Sequence, residues 1–76
     1  EMHQEVLAAQ WKQLRGEIKV RWGQLTDNDL DQVAGRWDKL VGVLQERYAY
    51  SKAKAEAELD AFLEKVTERV APHPPA

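Results

Sequence analysis

The chain has 76 residues, with 11 basic and 13 acidic side chains, a net charge of −2 and no cysteine. This length allows one domain, and a hydrophobic content of 43% is too high for a disordered chain. The small acidic excess argues against a dedicated nucleic-acid binder, and the lack of cysteine excludes a disulfide framework and a thiolate metal site.

The first predicted helix runs from about residue 4 to residue 22. Its apolar side chains recur at helical spacing and fall on one stripe about 80° wide. They are Trp11, Leu14, Ile18 and Trp22. Gly23 follows directly and can adopt the left-handed conformation that ends a helix. One face of this helix is therefore expected to lie in the core.

The next helical region covers residues 27–48. Thr26 is predicted to cap its start, because the hydroxyl can accept a backbone N–H and acidic residues follow in the first turn. Gly35 interrupts the pattern, since a glycine inside a helix costs about 1 kcal/mol relative to alanine. We predict a kink or break near Gly35, with a single helix over residues 27–48 as the alternative.

The last predicted helix follows a joint at residues 49–51, with Ser51 as its N-cap. Residues 52–58 alternate like a strand, but Ala, Lys and Glu are good helix formers and poor strand formers. The chain is predicted to be one domain over residues 1–71, followed by a proline-rich, disordered tail at residues 72–76. The residues predicted to share one core are Trp11, Leu14, Ile18, Trp22, Leu30, Val33, Leu40, Leu44, Leu59, Phe62 and Val66.

An internal repeat with the pattern W-x-x-L-x-G-x-[I/L]-x-x-R-[W/Y]-[G/A] occurs at residues 11–23 and again at residues 37–49. Gly16 and Gly42 occupy the same place in the two copies, away from the stripe of the leading tryptophan. Two interpretations are open for these glycines. They permit close approach of a neighbouring helix, or they are tolerated weak points.

Two segments are specific enough to indicate a family. Residues 22–30 read W-G-x-L-T-D-x-D-L, and residues 40–48 read L-V-G-x-L-Q-E-R-Y. With their surroundings, over about residues 10–63, they resemble the CsbD-like bacterial stress-protein family. The resemblance implies an all-α fold, a small bundle of four short helices in two roughly orthogonal hairpins, or of three helices if residues 27–48 are continuous. It also implies a cytoplasmic, non-enzymatic general stress protein whose molecular activity is not established.

Two positions depart from the pattern of that family. Ala49 stands where glycine is usual, and alanine adopts the left-handed conformation only with strain. Trp37 stands where a polar or basic residue is more common, and it is the best candidate for an exposed aromatic side chain. Because exposed aromatic residues often mark contact surfaces, we predict weak self-association, or contact with an unknown protein partner, through Trp37.

A basic flank of the first helix, formed by Lys12, Arg15 and Lys19, lies beside two tryptophans. Basic residues interleaved with aromatic ones can hold a phosphate backbone and stack bases. A nucleic-acid-associated module using this flank is therefore the alternative function. We favour the interpretation in which the tryptophans are buried and the basic stems surround the core.

The remaining polar patterns are interpreted as structural. The acidic triplet within residues 27–31 resembles the opening of a calcium loop, but Gln32 occupies the position that requires glycine. His3 and His73 are interpreted as isolated histidines in the two tails. The sequence therefore predicts no catalytic residue, no metal site, no cofactor and no membrane-spanning segment.

Overall fold

The computed structural model describes the backbone of residues 2–70 and the side chains of residues 3–66. This part of the chain is entirely helical between its turns, with α1 at Met2–Ala9, α2 at Trp11–Arg21, α3 at Asp27–Val33, α4 at Trp37–Tyr48 and α5 at Lys52–Val70. The prediction of an all-α bundle is confirmed. Among the described helices, none is both long and apolar enough to cross a membrane.

The prediction of four helices is wrong, because the first predicted helix is divided at Gln10. The backbone of Gln10 lies at φ −115° and ψ 25°, outside the helical range. Its N–H still donates to the carbonyl of Val6 at 2.9 Å, and its own carbonyl accepts from Leu14 N–H at 2.8 Å. The bend lets α1 contact α4 as well as α2, with Leu7 fully buried.

The predicted break near Gly35 is confirmed, so residues 27–48 do not form one helix. Ala34 and Gly35 both have positive φ, at 48° and 81°, and α4 begins two residues later at Trp37. Gly35 is buried against the α1–α2 bend, where an added Cβ would lie 3.3 Å from Ala8 Cα and 3.3 Å from Trp11 Cβ. Only glycine adopts this positive φ without strain and also fits the space beside Ala8 and Trp11.

The predicted cap of the second helical region is also confirmed. Thr26 Oγ1 accepts from Asp29 N–H, and the Asp29 carboxylate accepts from Thr26 N–H, each at 3.0 Å. This reciprocal capping box satisfies two backbone donors that a helix start otherwise leaves unpaired. Ser51, the predicted N-cap of α5, makes a single capping hydrogen bond, in which its Oγ accepts from Lys54 N–H at 3.1 Å.

The core contains nearly all of the residues predicted for it. Trp11 and Phe62 differ, because they are only partly buried while packing against the core. The buried side chains that the prediction omitted are Leu7, Leu25, Val41, Ala55 and Leu63. The predicted tail at residues 72–76, with His73, lies outside the described residues.

Ala49 adopts the left-handed conformation at the end of α4, with φ 56° and ψ 32°. Because this conformation strains alanine and suits glycine, we expect Ala49→Gly to raise the free energy of unfolding by about 0.5–1 kcal/mol. Urea denaturation measures this change. The control is Ala57→Gly, at an exposed position inside α5, which should lower stability by about 1 kcal/mol. Equal losses in both variants would contradict the expectation.

Candidate functional site

The most specific residues of the two family-like segments meet at an ion pair between α3 and α4. Arg47 donates from Nε to Asp29 Oδ2 at 3.0 Å and from Nη2 to Asp29 Oδ1 at 2.9 Å. Two parallel hydrogen bonds of this kind are stronger and more directional than a single contact. Asp29 is 7% exposed and is the one buried charged residue among the described side chains. The pair therefore joins the capped start of α3 to the last turn of α4.

These contacts hold the pKa of Asp29 at about 2, below its ordinary 3.8. The hydrogen bond from Arg47 is the largest cause, followed by the hydrogen bond from the backbone N–H of Thr26. Both favour the ionised carboxylate and outweigh the cost of its burial. Because the fold lowers the pKa of Asp29, the ionised carboxylate in turn stabilises the fold. The shift is explained by these structural contacts and is not evidence of catalysis.

The lowered pKa of Asp29 predicts a loss of stability in acid. The stabilisation is fully present above the ordinary pKa of 3.8 and is lost as the pH falls toward about 2. We expect a loss from this group of about 1–2 kcal/mol, allowing for solvent around Arg47. Urea denaturation at neutral pH and near pH 2 measures it, and Asp29→Asn should show a smaller difference. An equal difference in Asp29→Asn would contradict the assignment.

Tyr48 fixes the loop between α2 and α3. Its hydroxyl oxygen accepts from Gln24 N–H at 3.0 Å, and its ring stacks on Tyr50 with centroids 5.5 Å apart.

In the first copy of the repeat, Arg21 stands at the position of Arg47 and donates to Glu58 of α5 at 2.7 Å. The arginine of each repeat therefore connects its helix to a different neighbour.

The predicted basic flank is largely paired with the acidic triplet of α3. Arg15 contacts Asp31 at 2.9 Å, and Lys19 contacts Asp27 at 2.6 Å. The hydrogen bond from Lys19 lowers the pKa of Asp27. Lys12 lies exposed on the same helix. Asp29 is bound by Arg47, as described above. All three carboxylates that resembled the start of a calcium loop are therefore paired with a cationic side chain.

No group of three or more His, Asp or Glu side chains suited to a metal ion occurs among the described residues. The acidic triplet is thus accounted for by ion pairs between α3 and its neighbours α2 and α4. The sequence indicated the acidic residues but not their partners, because the partners lie on helices that only the fold brings together.

Trp37, the predicted contact residue, is partly buried and packs against the core. Its ring stacks on that of His3, with centroids 6.4 Å apart and planes inclined by 21°. His3 was predicted to be an isolated tail residue, and this is wrong. It lies in α1, and its Nδ1 is 2.8 Å from Asp60 Oδ1 of α5. No sequence signal could reveal a pair 57 residues apart.

The described residues define a small all-α bundle in which the signature residues bind one another. The chain belongs to the CsbD-like family, whose pattern matches residues 5–57. The matched segment includes the Thr26–Asp29 cap, the Asp29–Arg47 pair and the Tyr48 contact. The structure therefore assigns a place in the fold to the residues that first indicated the family.

Related proteins of similar length occur in several bacteria. The UPF0337 protein PA4738 of Pseudomonas aeruginosa is 49% identical over 65 residues, which cover 86% of this chain and 100% of that protein. The UPF0337 protein YjbJ of Escherichia coli is 44% identical over 61 residues, covering 80% and 88%. The UPF0337 protein pc0632 of Protochlamydia amoebophila is 41% identical over 64 residues, covering 84% and 97%. No solved structure is significantly similar to this chain.

Proposed function

We propose that this protein is a non-enzymatic stress-response protein of the bacterial cytoplasm, acting through protein contacts or as an abundant protectant. Its active unit is a single domain over residues 1–71. One observation carries the proposal. The side chains that first indicated the family, Thr26, Asp29 and Arg47, bind one another within the fold. They do so through the capping box and the two hydrogen bonds from Arg47 to Asp29.

The electrostatics of the described residues support an activity without catalysis. General acids and bases are recognised by a perturbed pKa inside a cleft. Here the two lowered carboxyl pKa values belong to Asp27 and Asp29, and each is explained by a cation on a neighbouring helix. A lowered pKa stabilises the ionised carboxylate, and both groups are already ionised at neutral pH. Neither group is therefore poised to exchange a proton near neutral pH.

Deletion of the gene tests the proposed role. The deletion strain should grow normally in rich medium and lose viability under at least one of osmotic, heat and stationary-phase stress. Expression of the original chain should restore survival, and metabolite pools should stay unchanged when purified protein is added to an extract. A growth defect without stress, or the steady consumption of a metabolite, would contradict a non-enzymatic stress role.

The alternative, a nucleic-acid-associated module, requires the basic flank to face phosphates. Arg15 and Lys19 are instead placed against Asp31 and Asp27, so binding would have to break both pairs. A mobility-shift titration at several salt concentrations decides between the two functions. A strong, salt-dependent shift that Lys12→Glu abolishes would favour the alternative, because phosphate contacts release counterions.

A further inference from the structure

The bend at Gln10 divides a segment whose sequence favours one continuous helix. Leu7 and Trp11 lie on either side of it and keep helical spacing, and no proline occurs in residues 2–21. A helical hydrogen bond also survives at the bend, since Gln10 N–H donates to the carbonyl of Val6, four residues earlier, at 2.9 Å. The bent chain and a single straight helix therefore differ mainly in the backbone conformation of Gln10, at φ −115° and ψ 25°.

α1 is held in its bent position by a small number of contacts. Leu7 is its one fully buried side chain among those described, whereas every other helix buries at least two. His3 adds a contact of 2.8 Å from Nδ1 to Asp60 Oδ1 and a stacking contact with Trp37. A helix of eight residues is not stable by itself in water. α1 is therefore the helix that leaves the core most easily, and it then needs an equivalent place to dock.

We propose that two copies of the chain exchange α1. When Gln10 becomes helical, α1 and α2 form one helix, and α1 extends about 12 Å beyond α2 instead of folding back. The α1 of a second copy then docks in the vacated place, and the exchange is reciprocal about a two-fold axis. A second copy is the partner that fits, because Leu7 and His3 are the side chains that fill this place within one chain. Trp37 of each copy then stacks on His3 of the other.

The exchange changes the connection between α1 and α2 and keeps the docking contacts. Each contact of α1 with Asp60, Trp37 and the core is made between two chains as it is within one, so these contacts do not decide the association. The balance depends on the helix gained at the two hinges and on the entropy that two chains lose when they associate. Because one residue at each hinge contributes little, the dimer is expected to be weak and to form at high protein concentration. This inference does not rest on the proposed stress role.

Gln10→Ala and Gln10→Gly test the hinge, because Gln10 is exposed and either change leaves the core intact. Alanine favours the straight helix over glycine by about fivefold at each hinge, and so by about 25-fold for the two hinges of a dimer. Sedimentation velocity, from micromolar to millimolar, measures the association of full chains that are refolded from urea at each final concentration. Gln13→Ala and Gln13→Gly are the matched controls. They should associate equally, because Gln13 is exposed and lies inside α2 in either state.

A mixing experiment shows whether α1 is the element exchanged. His3→Glu and Asp60→Lys each disrupt the contact between these two residues. In an exchanged dimer with one chain of each kind, the new carboxylate meets the new ammonium group, and the original His3 meets the original Asp60. Native mass spectrometry of an equal mixture should therefore find heterodimers above the half expected by chance, by about twofold or more relative to homodimers. Circular dichroism should show that each variant is folded.

Three results would overturn the proposal. The first is a Gln10→Ala chain that stays monomeric at every concentration. The second is equal association of Gln10→Ala and Gln10→Gly, which would mean that the hinge does not straighten in the dimer. The third is a mixture of the His3→Glu and Asp60→Lys chains with heterodimers only at the chance level, which would mean that the two copies associate without exchanging α1.

Discussion

Replacement of Asp29 by alanine is expected to lower the free energy of unfolding by about 2–3 kcal/mol. The change removes both hydrogen bonds from Arg47 and the carboxylate half of the capping box. Hydrogen bonds to charged groups contribute about 1.5–3 kcal/mol, and a lost cap costs about 1 kcal/mol. The sum is reduced because the side chain of Arg47 is 41% exposed and water can solvate it.

Two variants separate the contributions of Asp29. Asp29→Asn keeps a polar group for the cap and loses the charge, so we expect a smaller loss of about 1–2 kcal/mol. Thr26→Ala removes only the hydroxyl of the cap and should cost about 1 kcal/mol. Urea denaturation at neutral pH gives all three values. A loss below about 0.5 kcal/mol in Asp29→Ala would show that the pair does not hold α3 to α4.

Gly35→Ala is expected to be at least as damaging, with a loss of about 2–4 kcal/mol. The φ of 81° strains any L side chain, and the new Cβ would lie 3.3 Å from the backbone of Ala8 and from the side chain of Trp11. The strain costs about 1–2 kcal/mol, and overpacking adds about 1–3 kcal/mol when the neighbour is backbone. Thermal and urea denaturation measure the sum.

Gly16→Ala and Gly42→Ala are the matched controls, because an added Cβ meets nothing within 4 Å at either position. Both glycines lie inside helices, so each substitution should raise stability by about 0.5–1 kcal/mol. This geometry favours the interpretation of the repeat glycines as weak points over close helix approach within the chain. If Gly35→Ala proved as stabilising as Gly16→Ala, the packing at the α1–α2 bend would be contradicted.

The sequence carried enough information for most of the fold. Apolar spacing predicted the stripe of α2, and the Thr26 cap predicted the start of α3, since both depend on residues a few positions apart. The break at Gly35 followed from helix propensity. The bend at Gln10 could not be predicted in this way, because Leu7 and Trp11, on either side of it, are four residues apart and so keep helical spacing. The bend accompanies contacts of α1 with α4, and residues so far apart in the sequence give no local signal of their contact.

The candidate site was less predictable, because its contacts also join residues on different helices. Trp37, Lys12, Arg15 and Lys19 were selected on local pattern, and they remain predicted interaction residues. The partners of Arg15 and Lys19 on α3 depend on how α2 and α3 are placed.

Second-site rescue tests most directly whether Asp29 acts through the fold. Survival under stress is measured in the deletion strain carrying Asp29→Asn, with and without Gly16→Ala and Gly42→Ala together. The glycine pair should restore about 1–2 kcal/mol, roughly what Asp29→Asn removes, and alone it should support normal survival. We predict that the combined variant restores survival. A combined variant that is as stable as the original chain and still fails to protect the cells would show that the Asp29 carboxylate has a role beyond the fold.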